Sequence, residues 1–189
     1  FDNNVDVVFH LEQNQRLQDL GDFDYSRRDI EFFYSRQQAP PGSTKPQGTA
    51  AAVAACESFV DNEHFVVAYG DTIISSDRNP NFIGRMIESH LKHNATCTVG
   101  VRPVQAEWVT RYGIVRPVEG DRMDGESFRI SDIVEKPSLD EAPSLMAVSA
   151  RYIFGPEIFG EIQKLAPASD GELGITDAIR ALVEGGHNV

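Results

Sequence analysis

The sequence predicts an α/β fold in which helices cover a mostly parallel sheet, and three observations carry that prediction. Apolar runs that read as buried strands alternate with helical stretches along the chain, as helix-covered parallel sheets require. The strands between Tyr112 and Phe154 follow one another with no helix between them, which predicts an antiparallel element within or beside that sheet. The chain has 189 residues, 41% hydrophobic and 24% charged, enough apolar material to bury a core in one domain.

Taken in order, residues 3–20 set Val5, Val8, Phe9, Leu17 and Leu20 among polar residues as an amphipathic helix that Gly21 ends. Residues 30–35 read as a buried strand. The segment from Gln37 to Gly48 has three prolines and two glycines and is a loop. Thr49 then opens a helix over 50–59, rich in alanine. Residues 64–69 form a buried strand that stops at Gly70-Asp71-Thr72. Asn79 and Pro80 start a helix to about His93, with Phe82, Ile83, Met86, Ile87 and Leu91 on one face. Strands follow over 95–104, 112–118, 128–134 and 146–154, with a polar turn at 120–125. A short helix spans 156–165, and a last one spans 172–183 before Gly185-Gly186.

Composition excludes several classes of function. Seventeen basic residues stand against 29 acidic ones, a formal charge of −12, which argues against nucleic-acid binding because phosphate neutralisation needs a basic face. Thirteen of the basic residues are arginine, and a few well-placed cations can still bind a small phosphorylated substrate. No apolar run approaches the length of a membrane span. Cys56 and Cys97 have neither CxxC nor Cys/His spacing, so they read as reduced packing residues of a cytoplasmic protein.

Four constellations can carry chemistry, though each has a bland structural reading. Gly48 before a helix offers backbone N–H groups to an anion or a base carbonyl. Gln37 or Gln38, at the end of the preceding strand, can pair with a nucleobase edge. Asp71 follows a buried strand at its carboxyl end, the ligand edge of an open α/β sheet, where a carboxylate can hold Mg²⁺. Gly113, at the mouth of a strand, allows close approach of a ligand. Glu135 and Lys136 end another strand at Pro137, the carboxylate suited to sugar hydroxyls and the ammonium to a phosphate.

In chain order, Gln37, Gly48-Thr49-Ala50, Gly70-Asp71, Tyr112-Gly113-Ile114-Val115, Val134-Glu135-Lys136-Pro137 and the stretch from Gly171 to Ile179 resemble the sugar-1-phosphate nucleotidyltransferases. The resemblance spans nearly the whole chain. It implies a Rossmann-like α/β/α sandwich with a mixed, mostly parallel central sheet. It also implies a Mg²⁺-dependent transfer of a nucleotidyl group from a nucleoside triphosphate to a sugar 1-phosphate. The strand from Ala147 to Ile153 and the start at Tyr112 are most similar to the members that use UTP and glucose 1-phosphate, with thymidylyl-, guanylyl- and N-acetylglucosamine-1-phosphate uridylyltransferases close by. By resemblance, Gln37 and Gly48 read the base, Asp71 is a catalytic metal ligand, and Gly113, Glu135 and Lys136 hold the sugar phosphate. Lys136 sits on that phosphate, Glu172 lies near the sugar, and Thr176 and Asp177 cap or pack their helix.

The family's glycine-rich triphosphate loop and its second metal-binding aspartate have no counterpart here. The expectation is therefore a single domain over 1–189 truncated at both ends, inactive alone and a homo-oligomer when complete. Two rival readings are a non-catalytic domain that binds nucleotide or sugar phosphate, and a glycosyltransferase of similar topology. The second is weaker because Asp71 is followed by Thr72-Ile73, not by the spacing of an Asp-x-Asp motif.

Overall fold

The computed structural model describes residues 13, 33–35, 37, 39, 46–121, 127–168 and 171–189. The chain divides into two compact units, residues 1–35 and 36–189. The helix expected over 3–20 lies outside the described residues apart from Gln13, which is helical. Of the strand expected over 30–35, residues 33–35 are irregular. Gln38 also lies outside the described residues.

In the second unit, α1 (Thr49–Ala54) and α2 (Glu57–Val60) replace the single helix expected over 50–59. The Cys56 N–H bonds back to the Val53 carbonyl at 3.0 Å, one residue short of the α-helical step, and this tightened turn breaks the helix. β1 (Phe65–Ala68) leads through a long turn to α3 (Phe82–Lys92). Helix α3 starts later than Asn79-Pro80 because Asn81 is its cap, its side-chain oxygen accepting from the Gly84 N–H at 2.9 Å. Then come β2 (Cys97–Pro103), a 3₁₀ turn (Ala106–Arg111), β3 (Gly113–Pro117), β4 (Ile130–Glu135) and β5 (Met146–Phe154). Helices α4 (Glu157–Lys164) and α5 (Ile175–Glu184) complete the order. Among the described residues, no helix is long and apolar enough to cross a membrane.

The expected mostly parallel sheet is corrected. Every ladder among the described residues is antiparallel: β5 with β1, β2 and β3, and β3 with β4. Strands β1 and β2 do run in the same direction, joined by the crossover through α3. Strand β5 lies between them and opposes both. From β3 onward no α-helix separates the strands: β4 returns along β3 in the opposite direction, and β5 runs antiparallel to β3 on its other edge.

Strand alternation builds the layers. Cys97, Val99 and Val101 of β2 face a core made by α1, α4, α5 and the sheet residues Val115, Ile133, Tyr152 and Phe154. On the other face, the Phe82 ring of α3 lies against Gly100, where an added Cβ would approach it to 3.0 Å. Helices therefore cover both faces of the sheet. Phe65 and Phe159 stack at 5.3 Å between ring centroids across the main core, and Tyr152 stacks on Phe154 at 5.5 Å.

Helix α3 does not bury the face expected of it. Leu91 is 71% exposed and Ile87 40%, while Met86 and His90 are buried. His90 takes an apolar position because its ring is fully used. Its Nδ1 pairs with Thr98 Oγ1 at 2.8 Å and its Nε2 with His64 Nδ1 at 2.7 Å. Burial, helped by the neighbouring His64, pushes the His90 pKa down from its ordinary value. The folded state thus binds fewer protons than the unfolded chain at acidic pH. His90 contributes its full stability above about pH 6.5 and loses it as pH falls through the window below that value. Urea denaturation at pH 7.5 and 5.5 should find the chain weaker at the lower pH, with the difference reduced in His90→Gln. An equal difference in that variant would assign the pH response elsewhere.

Candidate active site

The candidate residues gather where four segments meet: the approach to α1, the turn after β1, the β3–β4 end of the sheet, and the approach to α5. Gly48 has φ 93° and ψ −174°, a region essentially open only to glycine. A Cβ there would lie 2.7 Å from the Leu173 carbonyl oxygen and 3.0 Å from Glu172 Cβ. This close approach lets Leu173 N–H donate to Gln47 O at 2.6 Å and Ala50 N–H to Leu173 O at 2.9 Å. The Thr49 hydroxyl oxygen also accepts from the Ile175 N–H at 3.0 Å, so the starts of α1 and α5 are laced together. Glu172, expected in the last helix, instead lies in this extended approach, beside Gly48 and three residues ahead of α5. Gln37 joins the group by donating its side-chain N–H to the Gly48 carbonyl at 3.1 Å.

At the sheet end, Gly113 and Glu135 are direct cross-strand partners. A Cβ on Gly113 would lie 3.2 Å from Glu135 Oε2 and 3.4 Å from Thr176 Oγ1. Glycine leaves room there for the carboxylate. Glu135 is also oriented by α5, because Thr176 donates its hydroxyl proton to Glu135 Oε2 at 2.8 Å. Thr176 therefore does more than pack its helix. Arg180 holds α5 against β4, donating to the Ile133 carbonyl at 2.9 Å and to Asp132 at 3.3 Å.

Lys136 directly follows β4 with φ 44°, a left-handed conformation costly for a residue with a side chain. Its N–H bonds to the Tyr112 carbonyl at 3.1 Å, which holds it in that conformation. The reversal cancels the usual alternation and brings Lys136 Nζ to 3.8 Å from Glu135 Oε1. The carboxylate and the ammonium thus share one side of the strand end. The ammonium end is open to solvent, with the side chain 64% exposed, so the pair adds little to stability in the free protein.

Asp71 is exposed in the turn after β1, where its carboxylate accepts from the Thr72 hydroxyl at 3.2 Å. Tyr69 ties this turn to the rest. Its hydroxyl is shielded from solvent, close to the hydroxyls of Thr49 and Tyr152, and it feels the charges of both Glu135 and Asp71. Burial is the main cause raising its pKa, opposed by the nearby hydroxyls of Thr49 and Tyr152. Asp71, Thr49 and Glu135 are thereby set around one tyrosine. Among the described residues, no group of three or more His, Cys, Asp or Glu side chains could enclose a metal. A lone carboxylate like Asp71 suits a cation completed by substrate phosphates and water.

Sequence reasoning missed Tyr69 and Thr176 as contributors. Tyr69 directly precedes Gly70-Asp71, and that adjacency was its only local signal. The contact of Thr176 with Glu135 spans 41 residues and leaves no local trace.

Comparison with known proteins bears on this geometry. A family model described as nucleotidyl transferase matches residues 4–189. A UTP–glucose-1-phosphate uridylyltransferase of Streptococcus pneumoniae is 32% identical over 96% of this chain and 58% of its own length. One of Bacillus subtilis is 29% identical over 97% of this chain and 59% of its own. The chain therefore spans less than two-thirds of the length of these relatives. A solved UDP-glucose pyrophosphorylase complexed with UDP-glucose is 27% identical with a TM-score of 0.77, covering 94% of this chain and 62% of that one. The UTP-bound enzyme of Acinetobacter baumannii scores 0.76 at 27% identity, over 100% of this chain and 62% of that one.

Proposed function

The chain belongs to the nucleotidyl transferase family, and we propose that its site serves the transfer of a uridylyl group from UTP to glucose 1-phosphate. In that reaction a phosphate oxygen of the sugar 1-phosphate attacks the α-phosphorus of the triphosphate. The bond from that phosphorus to the bridging oxygen breaks, pyrophosphate leaves, and the nucleotide sugar forms. No covalent enzyme intermediate is required, so the protein contributes positioning and charge neutralisation.

The observation that carries this reading is the end of β4. Glu135 and Lys136 share one side of the strand opposite Gly113, and Glu135 is oriented by Thr176. The Glu135 carboxylate accepts from sugar hydroxyls, and the Lys136 ammonium meets the sugar's phosphate in a charge-assisted contact. Glu172, beside Gly48, stands near the sugar. Gln37 already donates to the Gly48 carbonyl. Its amide oxygen is then the group offered to a base, and an acceptor there suits the N–H on the pairing edge of uracil. Asp71 fits Mg²⁺, because its carboxylate is exposed at a strand's carboxyl end with only the Thr72 hydroxyl bonded to it among the described residues. Bound there, the ion would neutralise charge on the triphosphate. The names of the relatives favour UTP and glucose 1-phosphate over other bases and sugars.

Calorimetric titration tests the reading. The purified chain should bind glucose 1-phosphate without metal and UTP more tightly with magnesium than without. Asp71→Asn should remove the magnesium effect on UTP and leave glucose 1-phosphate binding intact. A chain that bound neither ligand would sink the proposal, and an intact magnesium effect in Asp71→Asn would make that residue structural.

A further inference from the structure

The geometry points to Arg151 as a positioning residue that fixes the Asp71 turn for metal binding, a role that rests on the reading of Asp71 given above. The argument begins in β5. Val99 pairs with Tyr152, but the next partner pair is Val101 with Val148, so residues 149–151 stand opposite the single residue Gly100. Such a bulge re-aims the side chains it contains. Ala150 adopts φ 52° within it, and a Cβ on Gly100 would lie 3.2 Å from the Arg151 carbonyl oxygen. The irregularity is thus accommodated on both strands.

On its other edge, β5 sets Arg151 opposite Ala68, the last residue of β1. From there the guanidinium donates through Nη1 to the Tyr69 carbonyl at 3.1 Å and to the Ala150 carbonyl at 2.8 Å, and through Nη2 to the Thr72 carbonyl. The two carbonyls on the β1 side bracket Gly70-Asp71. Past Ala68 the turn has left the β1–β5 ladder. Among the described residues, its other main-chain ties are Tyr69 N–H to Ala150 O at 3.2 Å and Thr72 N–H to Tyr69 O at 3.4 Å. Among the described residues, no carboxylate forms a salt bridge with Arg151, so its charge is directed at main-chain oxygens around Asp71. Charge-assisted bonds of this kind are about twice as strong as neutral ones. The planar fork reaches separate carbonyls from one rigid group, which a lysine cannot do.

Groups that orient a metal ligand typically change metal affinity by about 10- to 100-fold when removed. Electron paramagnetic resonance of Mn²⁺ with UTP present, on the purified chain, reads that affinity. Arg151→Met should weaken Mn²⁺ binding about tenfold and speed amide hydrogen exchange at residues 70–73, while exchange in β2 and α5 stays unchanged. Arg151→Lys, which keeps the charge and loses the fork, should shift both readouts less and in the same direction. Asp71→Asn separates the two readings. If Asp71→Asn loses Mn²⁺ and the Arg151 variants bind it as the unaltered chain does, the role of Arg151 is overturned and that of Asp71 stands. If Asp71→Asn binds Mn²⁺ normally, the metal reading fails and the role of Arg151 with it. Should Arg151→Met fail to fold, normal Mn²⁺ binding in Arg151→Lys overturns the inference by itself.

Discussion

Lys136→Gly is expected to make the protein more stable and less able to bind glucose 1-phosphate. The residue has φ 44°, held by the bond from its N–H to the Tyr112 carbonyl. Left-handed backbone on a residue with a side chain costs on the order of 1–3 kcal/mol. Glycine removes that cost but loses more entropy on folding, so a net gain of about 1 kcal/mol is expected. The ion pair with Glu135, at 3.8 Å and open to solvent, subtracts little. In the proposed role of Lys136 binding moves the other way, because a charge-assisted contact to the sugar's phosphate would contribute about 1.5–3 kcal/mol, or roughly 10- to 150-fold in affinity. Lys136→Ala separates the two effects, since it loses the ammonium but keeps a Cβ in the strained conformation. Urea denaturation should rank Gly above both Ala and Lys, while calorimetry with glucose 1-phosphate should find both variants weak. Unchanged affinity in both would remove Lys136 from the site, and no stability gain in the glycine variant would mean that the strand end is unstrained.

Gly48→Ala is expected to cost about 3 kcal/mol of stability, combining left-handed strain of roughly 1–2 kcal/mol with overpacking of roughly 1–3 kcal/mol. The new methyl would meet main-chain atoms, the Leu173 oxygen at 2.7 Å and nitrogen at 2.9 Å, which cannot rotate aside as a flexible side chain would. Moving that segment would also break the bonds that lace α1 to α5 and would displace Thr176 from Glu135. Sugar-phosphate binding should therefore fall with stability, although Gly48 lies on the proposed base side of the site. Gly70→Ala is the control, because nothing lies within 4 Å of a Cβ there and its backbone is not left-handed. Denaturant midpoints compare the two. A Gly48→Ala chain as stable as the Gly70→Ala chain would show that the two approaches are not packed together.

Much of the fold was legible because it rests on short-range rules. The nine-residue run from Met146 to Phe154 forms β5 over its expected length, and the strand that carries Glu135 stops there, two residues before Pro137. Helix α4 falls within one residue of its expected bounds at each end. Other elements were misjudged where a side chain had a distant partner. The helical pattern placed Leu91 inward, but His90 is buried instead because Thr98 and His64 satisfy both ring nitrogens. Glu172 looked helical by composition, yet the main chain at Leu173 is drawn into extended pairing with Gln47 and Ala50.

The sequence by itself determined which candidate residues stand at which strand ends: Asp71 after β1, Gly113 at the start of β3, and Glu135 at the end of β4 with Lys136 next to it. Apolar runs, prolines and glycines act within a few residues, and those effects can be read locally. Only the tertiary structure decided that β5 lies between β1 and β2, that its bulge carries Arg151 to the Asp71 turn, and that Thr176 orients Glu135. Each of these joins residues 40 or more positions apart. The order of strands in a sheet and the partner of a buried polar group are settled by what else packs there, which no local pattern encodes.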